Sequence, residues 1–170
     1  DLNETIYGEA LAVRSLAYFD LVRIFANKSS FSTEGIPLAC DTIPYPSRTS
    51  VRSVYAQIIS DLRQAETLLE DAEVTPFRFN KYSVKALLTL VYVSDSQRTN
   101  AIETAENLIA TNQYSLLTAD NYMASWSQES STESIFSIAM SATDNPGTNS
   151  IGHMLSPDGY GGVIPSEDLL

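Results

Sequence analysis

The one histidine, His153, stands near Ser156 and Asp158, the residue types of a base, a nucleophile and an orienting acid. Such a triad is assembled in space and not along one loop, so the cluster predicts a surface histidine. A lone histidine and a lone cysteine, Cys40, would leave a zinc site to carboxylates and exclude an internal disulfide framework. The run Gly159-Tyr160-Gly161-Gly162 lacks the Lys and following helix of a phosphate-cradling loop. Carboxylate pairs of the kind that cleave glycosidic bonds need two acids facing one cleft, whereas most Asp and Glu here fall on the wet faces of helices. No catalytic residue, metal site or cofactor is expected.

What remains are aromatic rings outside regular structure and one misplaced cation. Trp126 is the only Trp and stands with Tyr122 around a Ser-rich stretch, while Tyr45 lies in a Pro-rich connection and Tyr160 in a Gly-rich one. Each ring could stack on a ligand. Trp is highly buried on average, so inward packing is the expected role of Trp126 ahead of stacking. On a helix at about 100° per residue, Arg14 falls within the apolar sector of the segment from Gly8 to Phe25. An unpaired charge there is costly, so Arg14 predicts a buried ion pair that holds helices together.

That segment is the first of four helices that would position these residues. Leu11, Ser15, Tyr18, Val22 and Phe25 form one stripe and Ala12, Leu16 and Phe19 a second, which predicts burial on most sides. A long connection punctuated by Gly35, Pro37, Pro44 and Pro46 follows, with Cys40 read as a small buried hydrophobe. Thr49 or Ser50 caps a second helix whose Val51, Val54, Tyr55, Ile58, Leu62, Ala65 and Leu69 recur at spacings of three and four. Asn80 caps a third, from Lys81 to about Asp95, apolar nearly all round. The fourth follows a short turn, with Asn100 and Glu103 spaced as a capping-box variant and Ala101, Ile102, Ala105, Leu108 and Ile109 as its buried stripe. Helices one and three read as central and two and four as peripheral.

The alternation is an internal repeat of helix pairs. Leu88, Tyr92, Ala101 and Ala105 sit at the relative spacings of a tetratricopeptide unit, with Thr89 where a Gly or Ala is usual. The expected fold is mainly α: a tetratricopeptide-like scaffold over residues 1–117, then a small loop-rich annex over 118–170 with one short strand. The strand is Glu133 to Ser141, where Phe136, Ile138 and Met140 alternate onto one face. The net charge of -11, without a basic run, argues against nucleic acid as a partner, and no apolar run is long enough to span a bilayer. With no leader before Asp1 and Ser166 to Leu170 ready to start another helix, the chain is expected to be an internal segment whose targeting signal lies upstream.

Taken in order, five stretches resemble the SusD/RagB family of surface lipoproteins: GEALAVRSLAYFDLVRIF from Gly8, GIPLAC from Gly35, SVRSVYAQIISDLRQAETLL from Ser50, YSVKALLTLVYVSDSQRTNAIETAENLIATNQYSL from Tyr82, and ESIFSI from Glu133. GYGGVIPSEDLL, from Gly159, resembles the family's passage toward its C-terminal half. The resemblance implies a nutrient-capture protein of the Bacteroidetes outer membrane, with a lipid anchor outside this segment and tetratricopeptide-like helix pairs as scaffold. It further implies a SusC-like TonB-dependent transporter as partner, glycans or in some members peptides as ligand, and no covalent chemistry. With a glycan as the implied ligand, Trp126, Tyr122, Tyr45 and Tyr160 are the stacking candidates. The alternative from the helix pairs alone is a tetratricopeptide-like adaptor that binds a segment of another protein.

Overall fold

The computed structural model describes residues 2–26, 34–39, 47–140, 142–144, 146–156 and 159. Four long helices run in order, α1 (Leu2–Phe25), α2 (Val51–Leu68), α3 (Lys81–Ser94) and α4 (Arg98–Ala110), followed by the short α5 (Ala119–Ser125) and α6 (Ile151–Leu155). The chain divides into two compact units, residues 1–137 and 138–170. The first holds α1 to α5; the second holds two single-turn 3-10 segments and α6.

In the first unit each helix packs on the next: α1 on α2, α2 on α3 and α3 on α4, with only a light touch between α1 and α3. The helices with long neighbours on both sides are therefore α2 and α3: the expected central place of α3 holds, whereas α2 and not α1 is the other central helix. The expected stripe of α2 is buried in full, from Val51 through Ile58 and Leu62 to Leu69. On α1, Leu11, Ala12, Ser15, Tyr18, Phe19 and Val22 are buried, but Val13, Leu21, Ile24 and Phe25 are exposed. The prediction of burial on most sides fails because only one long flank of α1 meets another helix. Leu90 and Val93 are exposed on α3 although that helix packs on both α2 and α4, and Ile102 and Ile109 are exposed on α4, which meets only α3 among the described helices and whose expected stripe is buried only at Ala101.

The caps follow side-chain chemistry. Ser50 Oγ accepts the backbone N–H of Ser53 at 3.0 Å to start α2. Asn80 and Ser83 form a reciprocal capping box at the head of α3, with the Asn80 N–H donating to Ser83 Oγ at 2.9 Å. The box expected at Asn100 and Glu103 is absent, since α4 begins two residues earlier, and Asn100 Nδ2 instead donates to Gln97 Oε1 at 2.6 Å. Across the second helix pair, Leu88, Tyr92 and Ala101 are buried as the repeat requires, and Tyr92 Oη accepts from Arg63 Nε at 3.1 Å, linking α3 to α2.

The connection between α1 and α2 is pinned at its base. The Gly35 N–H donates to the Thr49 carbonyl at 2.8 Å and the Thr49 N–H to the Ile36 carbonyl at 3.2 Å, while Arg48 Nη1 reaches the Gly35 carbonyl at 2.9 Å. Gly35 allows that approach, because a Cβ there would come within 2.7 Å of the Thr49 carbonyl oxygen. Cys40 lies outside the described residues.

The strand expected over Glu133 to Ser141 does not form: residues 135–140 are without regular structure, and no strand occurs among the described residues. Alternation gives an apolar face, but a strand also needs a neighbour to complete its ladder. Here the segment lies on helices instead. Phe136 stacks on Phe79 with ring centroids 4.3 Å apart, and the Ser137 N–H donates to the Pro76 carbonyl at 2.7 Å. Ile138 and Met140 are exposed.

Candidate ligand-binding site

Trp126 and Tyr122 stand four residues apart, at α5 and its C-cap, and so fall on one side of the helix. The helix is short but its start is well determined. The Thr118 N–H donates to Asn121 Oδ1 at 2.8 Å, and the Thr118 carbonyl accepts the Tyr122 N–H at 3.0 Å. At its end, Ser125 Oγ donates to the Tyr122 carbonyl at 2.7 Å and Ser127 Oγ to the Ala124 carbonyl at 2.9 Å. The two rings meet edge to face, with centroids 6.1 Å apart and planes at 82°.

The expectation that Trp126 packs inward is not met. Its side chain is 75% exposed and that of Tyr122 49%, and α5 has no buried residue. The helix rides on the surface, so its largest side chains find each other and not the core. The perpendicular contact fixes the tilt of both rings and leaves indole surface open to a flat apolar partner, such as the C–H face of a sugar ring. Tyr45 and Tyr160 lie outside the described residues.

Arg14 does not join this surface. Its guanidinium forks onto Asp61, with Nε to Oδ2 and Nη2 to Oδ1 both at 2.8 Å, binding α1 to α2. Gln57 Nε2 adds a third bond to Asp61 Oδ1 at 2.7 Å. The Asp61 side chain is 4% exposed and the Arg14 side chain 35%, so the carboxylate is the buried partner and the guanidinium closes over it. His153 sits on α6 of the second unit, its backbone N–H donating to Ser150 Oγ at 3.1 Å, and Asp158 lies outside the described residues. Among the described residues no group of His, Cys, Asp and Glu could hold a metal ion, and no helix is long and apolar enough to cross a membrane.

Two clefts flank the 131–137 segment. One, of about 560 Å³, is lined by Leu16, Leu87, Leu90 and Phe136, and the other, of about 390 Å³, by Leu108, Ile109, Tyr114 and Leu116. Glu133 and Ile135 form part of both walls; Trp126 and Tyr122 form part of neither. Burial raises the Tyr114 phenol above its ordinary pKa, with the neighbouring Tyr82 adding to the shift, so it stays neutral.

Comparison with known proteins agrees with this architecture. A family model described as starch-binding and associating with the outer membrane matches residues 1–93. A SusD-like protein of Formosa agariphila is 32% identical over 111 residues, which is 65% of this chain and 22% of that protein. A crystal structure of a SusD superfamily protein from Bacteroides vulgatus is 34% identical with a TM-score of 0.80, over 93% of this chain and 38% of that one. A laminarin-binding SusD-like protein is 27% identical with a TM-score of 0.61, over 76% of this chain and 29% of that one. The chain thus spans between a fifth and two fifths of the length of these relatives. With more than half its residues matched by the family model and the same helix-pair scaffold as the solved members, the chain belongs to the SusD-like family.

Proposed function

We propose that this chain supplies a non-catalytic glycan-binding surface to a cell-surface nutrient-capture protein that passes oligosaccharides to a SusC-like TonB-dependent transporter in the outer membrane. The observation that carries the reading is the exposed Tyr122–Trp126 pair on a scaffold whose family is described as starch-binding. Stacking on an indole tolerates many sugars, while hydroxyl pattern is read by polar groups around it. Tyr45 and Tyr160 complete the candidate set. A lipid anchor outside this segment would hold the assembly at the membrane.

Isothermal titration with starch and laminarin oligosaccharides tests the reading. Binding by the parent chain and its loss in Trp126→Ala, at an unchanged thermal midpoint, supports the pair as the site; unchanged affinity removes it. Product formation from the same oligosaccharides would overturn the non-catalytic reading, and failure of a co-expressed SusC-like transporter to co-purify would overturn the delivery role. The second reading is a tetratricopeptide-like adaptor. The exposed apolar residues of α1, Val13, Leu21 and Ile24, favour it. Association with a protein through that helix would persist in Trp126→Ala, which separates the two readings.

A further inference from the structure

All ten Lys and Arg of the chain lie at or before Arg98; from Glu103 to Asp168 there are nine acidic residues and no Lys or Arg. The division falls within α4, after its first residue. Within the scaffold several of the cations are paired with acids: Arg14 with Asp61, Arg78 with Glu9, Lys81 with Glu70 and Lys85 with Glu66. The charged residues nearest the aromatic pair in sequence are all carboxylates. Asp120 precedes Tyr122 by two residues and Glu129 follows Trp126 by three, which puts their backbones within about 11 Å of those of the ring-bearing residues. Glu133 is held at the head of α5, where Oε1 accepts the N–H of Leu117, the residue before Thr118. All three acids are exposed.

From this we infer that the Tyr122–Trp126 surface selects uncharged glycans and repels uronate-bearing or sulfated ones. The inference rests on the glycan reading of that surface and names the substrate class. The separations are comparable with the Debye length of about 10 Å at 0.1 M salt and well inside the roughly 30 Å at 0.01 M, so the repulsion acts in dilute salt and fades as salt is added. An anionic ligand would meet several carboxylates at once and no partner of opposite sign in the same segment. A neutral sugar loses nothing there, since carboxylates accept hydrogen bonds from its hydroxyls.

The only Trp of the chain makes the test direct, because its fluorescence reports this one site. In dilute salt, with each quencher normalised to its effect on free N-acetyltryptophanamide, iodide should quench Trp126 less efficiently than caesium, with neutral acrylamide between them, and Asp120→Asn with Glu129→Gln should narrow the difference. A laminarin or starch oligosaccharide should bind at least about fivefold more tightly than an oligogalacturonate of equal length, with the gap closing in high salt. Equal normalised quenching by iodide and caesium, or oligogalacturonate held as tightly as the neutral glucan, overturns the charge selection and leaves the glycan reading standing. Binding of neither kind of glycan overturns the glycan reading and the selection with it, whatever the ions do.

Discussion

Arg14 and Asp61 meet across the α1–α2 interface through two parallel hydrogen bonds of 2.8 Å, and the carboxylate is the one sealed from solvent. The two ends of the fork therefore differ in what their loss would leave behind.

Arg14→Ala strands a buried carboxylate with Gln57 as its remaining partner. Removing one member of a buried pair costs roughly 3 to 5 kcal/mol, and the partial exposure of Arg14 points to the low end. A fall in the thermal midpoint of about 6 to 12 °C is expected by calorimetry. Arg14→Met with Asp61→Leu should recover most of it, because the charge and its desolvation cost leave together. An unchanged midpoint in Arg14→Ala would end the structural assignment.

On the same helix, Phe19 and Val13 face opposite environments. Phe19 is 1% exposed, so Phe19→Ala should cost about 3 to 5 kcal/mol, whereas Val13, 56% exposed, should tolerate Ser within about 0.5 kcal/mol. Urea midpoints on the two variants decide it. A large loss at Val13 would mean that something covers the outer face of α1.

Trp126→Ala should leave stability unchanged, since α5 buries nothing, and weaken glycan binding on the order of thirtyfold, or about 2 kcal/mol, if the indole is the central anchor. Tyr122→Phe should keep most of the affinity because the edge-to-face contact survives; Tyr122→Ala should lose part of it by freeing the indole tilt. Titration calorimetry on the three variants ranks them. A Tyr122→Ala chain that binds as well as the parent would show that ring orientation is not prearranged.

Glu70 and Lys81 couple α2's end to α3's start through a 2.8 Å bond. The hydrogen bond from Lys81, and then its charge, holds Glu70 below its ordinary pKa, while the bond to Glu70 lifts Lys81 above its own. The Glu70 contribution is present above the ordinary carboxylate range and is lost as pH falls through its depressed folded value. The Lys81 contribution is present below the ordinary ammonium value and is lost as pH rises through its raised one. Burial likewise raises the Tyr114 phenol, whose contribution is present below a pH of about 10 and is lost above it. Denaturant titrations across pH should find Glu70→Gln flatter on the acid limb and Tyr114→Phe flatter on the alkaline one. An unaltered acid limb in Glu70→Gln would leave the ion pair without a role in stability.

Much of the scaffold was legible because periodicity records the face a helix must bury. The α2 stripe from Val51 to Leu69 and the cap at Asn80 are direct readings of spacing and side-chain chemistry. Arg14's need for a partner was readable too, but its identity was not, although Asp61 sits in the α2 stripe between Ile58 and Ala65 as the one acid among buried residues. A charge inside an apolar stripe on each of two neighbouring helices is a signal that pairs them. Periodicity says which residues are apolar and not what covers them, hence the misreading of Phe25, Ile102 and Ile109. Alternation at Phe136 and Ile138 could not reveal that Phe79 and Pro76 would satisfy the segment before any strand did. The exposure of Trp126 was hidden for a similar reason, since composition speaks of Trp in general.

The pin between Gly35 or Ile36 and Thr49 bears on how such a chain can diversify. With its base closed at Gly35 and Thr49, a change of chain length between the pinned residues need not move α1 or α2, and doubling the number of residues in a closed loop costs only about 0.6 kcal/mol in closure entropy. Relatives could graft long or short insertions there while keeping one scaffold, and an engineer could place a tag or a second binding module at the same point.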